Sequence, residues 1–189
     1  MNQNDMPISA LRREFFAFRN GIVAEKLRSA GDPHTAIMGC LLVDLTNIAR
    51  QARDTIADNE QLAALAQELW DNTHSRECRL TAPMLYPVDR MNLGKALEWC
   101  ESVETVEVAD NLCHKLLRHL PEADTLFRHL IAQERTLTKY TGYRLLLNLL
   151  RTGKAQPSPA LKAIIINEAN GAEHPLSSLL TEIGNELDE

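Results

Sequence analysis

At 189 residues, with 44% apolar and 24% charged side chains, the chain is long enough for a sizeable core and has an ordinary globular balance. Aromatic residues are only 5% while Leu and Ala dominate, which favours helix over sheet. The formal net charge of −6 does not exclude a nucleic-acid partner: residues 1–162 hold all 20 Lys and Arg and 20 of the 26 acids, so their charges cancel, and the other six acids follow the last basic residue. Those six are Glu168, Glu173, Glu182, Glu186, Asp188 and Glu189, an acidic C-terminal segment spanning 168–189. A neutral body can still carry a basic face. No apolar run reaches the ~18 residues of a membrane span. The opening residues, Met1 to Ile8, lack a basic stretch followed by an apolar one, so no secretory leader is read there. Cys40, Cys78, Cys100 and Cys113 contain no Cys-x-x-Cys pair. They read as reduced thiols used as small core residues, which suits a cytoplasmic protein.

In chain order, Pro7-Ile-Ser9 precedes one long helix to about Arg28, with Leu11, Phe15, Phe18, Ile22 and Leu27 at helical spacing. Gly31-Asp-Pro33 breaks the chain. Val43 to Ile56 carries Leu45, Ile48, Ala49, Ala52 and Ile56 on one face. Asn59 can cap the next helix, whose stripe is Leu62, Leu65, Ala66 and Leu69. Thr73 or Ser75 can cap a fourth element to about Tyr86, which Pro83 should kink or shorten. Pro87-Val-Asp89 opens Met91 to Cys100. Glu104 to His119 follows, then Pro121 to Ala132, then Leu137 to Leu150, ending near Gly153. Pro157-Ser-Pro159 and His174-Pro175 open the last two elements.

About ten helices joined by short turns imply helix on helix, an all-α fold. A closed bundle fits. So does a curved α-solenoid of stacked antiparallel helix pairs, HEAT-like, with a concave face. Successive pairs recur at roughly 30–40 residues, in the range of helical repeats. The solenoid is slightly preferred, as a single domain over 1–189.

The candidate site residue is Asp110. Val106, Ala109, Cys113, Leu116, Leu117 and Leu120 form an apolar helical stripe, and Asp110 borders it. It is either a carboxylate with chemistry to do or a boundary residue, solvated or paired with His114 one turn on. The histidines form no ligand set, and adjacent Cys113 and His114 point apart on a helix, so no metal and no cofactor is expected. No Gly-rich phosphate loop, serine-nucleophile motif or dinucleotide fingerprint is present.

Three segments carry a resemblance. The first is Met38-Gly39-Cys-Leu-Leu-Val-Asp44-Leu45-Thr-Asn-Ile48-Ala49. The second, and most specific, is Glu68-Leu69-Trp70-Asp71 followed by Glu77, Arg79 and Ala82. The third is Val106-Glu-Val-Ala-Asp110. Together, over about residues 10–150, they resemble the AlkD-like branch of the DNA alkylation repair family. The resemblance implies a HEAT-like solenoid whose concave face grips double-stranded DNA. It implies a DNA glycosylase that releases cationic N3- or N7-alkylated purines without drawing the base into a deep pocket. Asp110 matches the position of the carboxylate that stabilises the oxocarbenium-like sugar. The chain departs from the family at two places. Val106 stands where the family has a Trp, and Tyr140 where it has a phosphate-holding Arg, with Lys139 beside it.

DNA-binding candidates are therefore Arg12, Arg19, Lys139, Tyr140 and Arg144. Arg12 and Arg19 are seven apart on the expected first helix and share a face. A solvated basic face is the plainer reading of Lys139, Tyr140 and Arg144. Trp70 should be a core residue, with Glu77 and Arg79 in inter-helix bridges or caps. A competent Asp110 should face the groove near Lys139 or Tyr140 with no buried Arg neutralising it. Removing 168–189 should strengthen DNA binding, provided the segment does not complete the core. A different class of function remains open: an inactive helical-repeat scaffold that binds a protein or a nucleic-acid structure.

Overall fold

A computed structural model of the protein describes residues 8–188. Pro7 and the opening residues read above for a leader lie outside the described residues, as does Glu189. Among the described residues are eleven α-helices, two single 3-10 turns and no strand, with one isolated bridge between Ala36 and Ser75. The protein is all-α, and its helix-on-helix packing is that of a helical solenoid. No helix among the described residues is long and apolar enough to cross a membrane. All four cysteines are free and buried. The chain divides into two compact units, Met1–Met91 and Asn92–Glu189.

The first unit contains α1 (Ile8–Ala17), α2 (Gly21–Ser29), α3 (Leu42–Thr55), α4 (Asn59–Asp71) and α5 (Arg76–Leu85). The expected single helix to Arg28 is two helices. The Asn20 side-chain oxygen accepts from the backbone N–H groups of Ile22 and Val23 at 3.1 and 3.2 Å, which starts α2 afresh. Arg19 falls in the break. Its Nη1 donates to the Phe16 carbonyl at 2.9 Å, and its guanidinium lies 4.0 Å from the Phe16 ring centre. Arg12 and Arg19 therefore share no helical face, contrary to the sequence expectation. Gly39 fits tightly against the same turn. Its φ is +76°, and a Cβ there would lie 2.2 Å from the Asn20 carbonyl oxygen. Gly39→Ala should cost more than the roughly 1–3 kcal/mol of left-handed backbone strain alone. Thermal denaturation reads that loss directly.

Every residue of α5 is buried, and α5 packs on α3 and α4. Ser75 caps it through a bond from Cys78 N, and the helix stops shortly after Pro83, at Leu85. Asp58 rather than Asn59 caps α4, accepting from Glu60 N at 2.9 Å. Trp70 is 2% exposed, with the Arg79 guanidinium stacked 3.7 Å from its ring and donating to its carbonyl at 2.7 Å. The fully buried Glu77 accepts from Met38 N, Gly39 N and Arg76 Nη1 at 3.1, 2.9 and 3.0 Å. Trp70 is the core residue expected, whereas Glu77, expected in an inter-helix bridge or cap, pairs with Arg76 of its own helix and holds the Met38–Gly39 turn.

The second unit contains α6 (Leu93–Glu101), α7 (Val106–Lys115), α8 (Ala123–Ile131), α9 (Thr136–Arg151), α10 (Pro159–Ala169) and α11 (Leu176–Asp188). Helix α9 is its axis, packed against α7, α8 and α11. Gly142 lets α8 approach, since a Cβ there would lie 2.8 Å from Leu130 Cβ. Helix α11 buries Leu176, Leu179, Leu180, Ile183 and Leu187. The acidic C-terminal segment is thus part of the core of this unit. Deleting 168–189 removes that core, so the condition attached to the truncation fails.

Candidate nucleic-acid site around Asp110

The second unit assembles its polar cluster from three helices. Thr105 starts α7 by accepting from Val108 N at 3.2 Å, and the apolar stripe then buries Val108, Ala109, Leu112 and Cys113. Asp110 lies at the edge of that stripe, its side chain 35% exposed. Tyr140 and Arg144 are four apart on α9, so both reach the same neighbour. The Tyr140 hydroxyl donates to Asp110 Oδ1 at 2.9 Å, and Arg144 Nε lies 3.3 Å from that same oxygen. The Arg144 contact is an ion pair rather than an aligned hydrogen bond, because the buried Nε makes no hydrogen bond by geometry. Among the described residues, the hydrogen bond that Asp110 accepts falls on Oδ1.

This arrangement corrects two expectations. Asp110 does not pair with His114, which is exposed. Nor does it lack an Arg: Arg144 supplies a half-buried counter-charge. Tyr140 is 6% exposed, with its hydroxyl committed to Asp110. Burial raises the Asp110 carboxyl above its ordinary value; Arg144 and the Tyr140 bond pull it back, and Glu182 and Glu107 push it further up. Burial and the neighbouring carboxylate raise the Tyr140 phenol. Two observations bear on that carboxyl, the close Arg144 and the upward shift, and they point in opposite directions. Burial is the larger of the two effects.

Lys139 follows a different path. Adjacent helical residues diverge, so it leaves the Asp110 cluster and meets α10, where Nζ lies 2.8 Å from Glu168 Oε1. Burial and Glu168 raise the Tyr143 phenol to about 12. A polar cleft of about 470 Å³ opens beside Lys139, lined also by Thr136, Asn167, Glu168 and Asn170, and does not include Asp110. On the exposed edge of α9, Arg151 binds Glu182 and Glu186 of α11. Those carboxylates escaped the sequence reading as site neighbours. Their four-residue spacing beside an apolar stripe was the available signal. Arg12 and Arg19 belong to the first unit; Arg12 is exposed and reaches the buried Cys78, whose thiol burial raises. Among the described residues, no group of three or more His, Cys, Asp and Glu is placed to hold a metal ion.

Chemically, the cluster offers a partly exposed carboxylate with one oxygen held by Tyr140 and an Arg within reach. Such a group can stabilise a cation forming beside it. A family model described as DNA alkylation repair enzyme matches residues 11–172. The chain belongs to the DNA alkylation repair family. A role in DNA alkylation repair follows at that level. The matched span includes α7 and α9 of the family member described here, hence Asp110, Tyr140 and Arg144, and ends before α11. No curated protein and no solved structure matches the chain.

Proposed function

We propose that the protein binds double-stranded DNA and acts as a slow DNA glycosylase on cationic N3- or N7-alkylated purines, with Asp110 as the catalytic carboxylate. The observation that carries this is the Asp110 geometry. Tyr140 and Arg144 meet one carboxylate oxygen, and the side chain is 35% exposed, which leaves the carboxylate approachable by a reacting sugar. An alkylated purine is already a cationic leaving group. When its C1′–N bond breaks, the electron pair leaves with the base and neutralises it. Positive charge then spreads over C1′ and the ring oxygen of the deoxyribose. A carboxylate near that centre stabilises it, water adds to C1′, and one proton is released to solvent. Tyr140 is a positioning residue for Asp110 rather than a phosphate ligand. Arg144 takes the phosphate-holding role that its neighbour on α9 cannot.

Single-turnover release of 7-methylguanine from methylated duplex DNA tests the proposal. The rate should be slow, because Val106 offers the nucleotide no aromatic surface and Arg144 cancels part of the Asp110 charge. Those same two observations favour the second reading, an inactive helical scaffold; no release by the native protein would establish it. Binding itself should be chiefly electrostatic and fall steeply with salt. Arg144→Ala should weaken binding about equally for any sequence and lower the salt slope by about one. Lys139→Ala should do less, because Glu168 holds Lys139 at 2.8 Å whereas the acid oxygens nearest Arg144 lie at 3.3 and 3.8 Å. Binding titrations at several salt concentrations check both.

A further inference from the structure

The cations of α9 are engaged by acids of α10 and α11. Arg144 and Arg151 are seven apart on α9 and lie on the same side of the helix. Both meet α11. Arg151 Nη2 lies 2.8 Å from Glu182 Oε1, and Arg151 Nε lies 2.5 Å from Glu186 Oε1. The second oxygen of Glu182 lies 3.8 Å from Arg144 Nη1. Glu182 therefore bridges the two guanidiniums while Glu186 completes the contact to Arg151. A guanidinium edge offered to carboxylate oxygens is the same edge that would hold a phosphate.

Packing fixes these acids in place. Glu182 and Glu186 are one turn apart on α11, and Leu179, Leu180, Ile183 and Leu187 of that helix are buried against the unit. The carboxylates are thus presented on a fixed helix rather than on a loose tail. The ion pairs remain accessible to solvent, with Arg151 44% and Glu182 42% exposed. Accessible pairs of this kind are individually weak, so another anion can displace them. Glu168 occupies Lys139 in the same way from α10, at 2.8 Å. Every α9 cation named as a DNA contact is matched by an acid from the C-terminal segment. Glu182 and Glu186 also lie beyond the 11–172 span that matches the family.

We propose that Glu182 and Glu186 form an autoinhibitory contact that occupies Arg144 and Arg151 in place of DNA phosphates and must be displaced when DNA binds. This rests on the nucleic-acid reading above. The device sets a threshold. Unmodified duplex is held loosely because two phosphates must compete with two fixed carboxylates. Only a site that gains further contacts, such as an alkylated nucleotide beside Asp110, holds the displaced state.

The test uses the full chain and a labelled unmodified duplex. Binding is followed by fluorescence anisotropy between about 50 and 200 mM salt, where electrostatic binding is most responsive. Glu182→Gln/Glu186→Gln should bind about tenfold more tightly at the low end, and its log–log salt slope should steepen by nearly two, at about 0.9 per added phosphate contact. Glu186→Gln alone should steepen it by about one, and it keeps Glu182 in place should the double variant lose its fold. The control, Glu173→Gln/Asp188→Asn, removes the same charge from the same segment without touching α9. It should leave the slope unchanged. Equal affinity and slope in native protein and the Gln pair would overturn the proposal, and so would an equal gain in the control. If neither native protein nor any variant binds duplex at low salt, the nucleic-acid reading itself falls, and this inference with it.

Discussion

Asp110→Asn should abolish release of 7-methylguanine while leaving the protein folded and at least as stable as before. The amide keeps the shape and still accepts from the Tyr140 hydroxyl, now 2.9 Å from Asp110 Oδ1. What it loses is the charge that would face the developing sugar cation. Removing one preorganised electrostatic group of this kind typically costs about 10²–10³ in rate, which takes a slow release below detection. The stability half follows from the carboxyl shift. Its folded value is raised, with burial the largest cause. A carboxylate of this kind costs stability wherever the unfolded chain ionises more readily than the folded one. The cost is fully present above the raised folded value. It disappears as pH falls toward the ordinary carboxylate value. At pH 7 the Asn variant should melt at or slightly above the native protein, and that margin should shrink on acidification. Paired excision assays and melting curves at pH 7 and pH 4 decide. Equal release by both proteins would remove Asp110 from the mechanism; a large loss of stability in the variant would show a carboxylate placed for the fold.

How much of this site was readable depended on distance along the chain. Helix α7 ends at Lys115 and not at His119 as the stripe to Leu120 suggested, but the place of Asp110 was legible because Ala109 and Cys113, both buried, fix which side of α7 it borders. Its partners were not, because they come from α9, and helical periodicity says nothing about which helices meet. The one local clue was the four-residue spacing of Tyr140 and Arg144, which puts both on one face. Tyr140 and Arg144, both expected as phosphate contacts or as part of a solvated basic face, meet Asp110 instead once α7 and α9 pack. Lys139, next in sequence to Tyr140, diverged to Glu168 for the same geometric reason. In the first unit, periodicity misled. Leu11, Phe15, Phe18 and Ile22 continue a helical stripe straight through the break, because spacing does not register the Asn20 side chain capturing the Ile22 and Val23 amides. The C-terminal segment showed the opposite failure. Its six acids stand out in composition, whereas its packing lies in the buried face of Leu176, Leu179, Leu180, Ile183 and Leu187.

Glu77→Gln should do the reverse of Asp110→Asn, although the chemical change is the same. Glu77 is fully buried and receives three donors: Met38 N on Oε2, and Gly39 N and Arg76 Nη1 on Oε1. A glutamine has one oxygen and one NH2. In either orientation the NH2 group must face at least one of those N–H groups. The buried Arg76, 4% exposed, also loses the Glu77 carboxylate, although it keeps the bond from Nη1 to the Cys40 carbonyl at 3.1 Å. Breaking a buried pair from one side costs roughly 3–5 kcal/mol, a large share of the roughly 5–15 kcal/mol that holds a typical protein folded. The damage should spread beyond the pair. Glu77 ties α5 to the Met38–Gly39 turn, and that turn in turn seats Asn20 at the start of α2 through the Asn20 N–H to Met38 carbonyl bond of 2.8 Å. Urea denaturation should therefore show a midpoint far below the native one, with the first unit losing helix before the second. A cost under about 1 kcal/mol, the range of an ordinary surface pair, would mean that the carboxylate is replaceable and that the turn is held by its glycine alone. The two substitutions together separate a carboxylate that the fold tolerates from one that the fold requires.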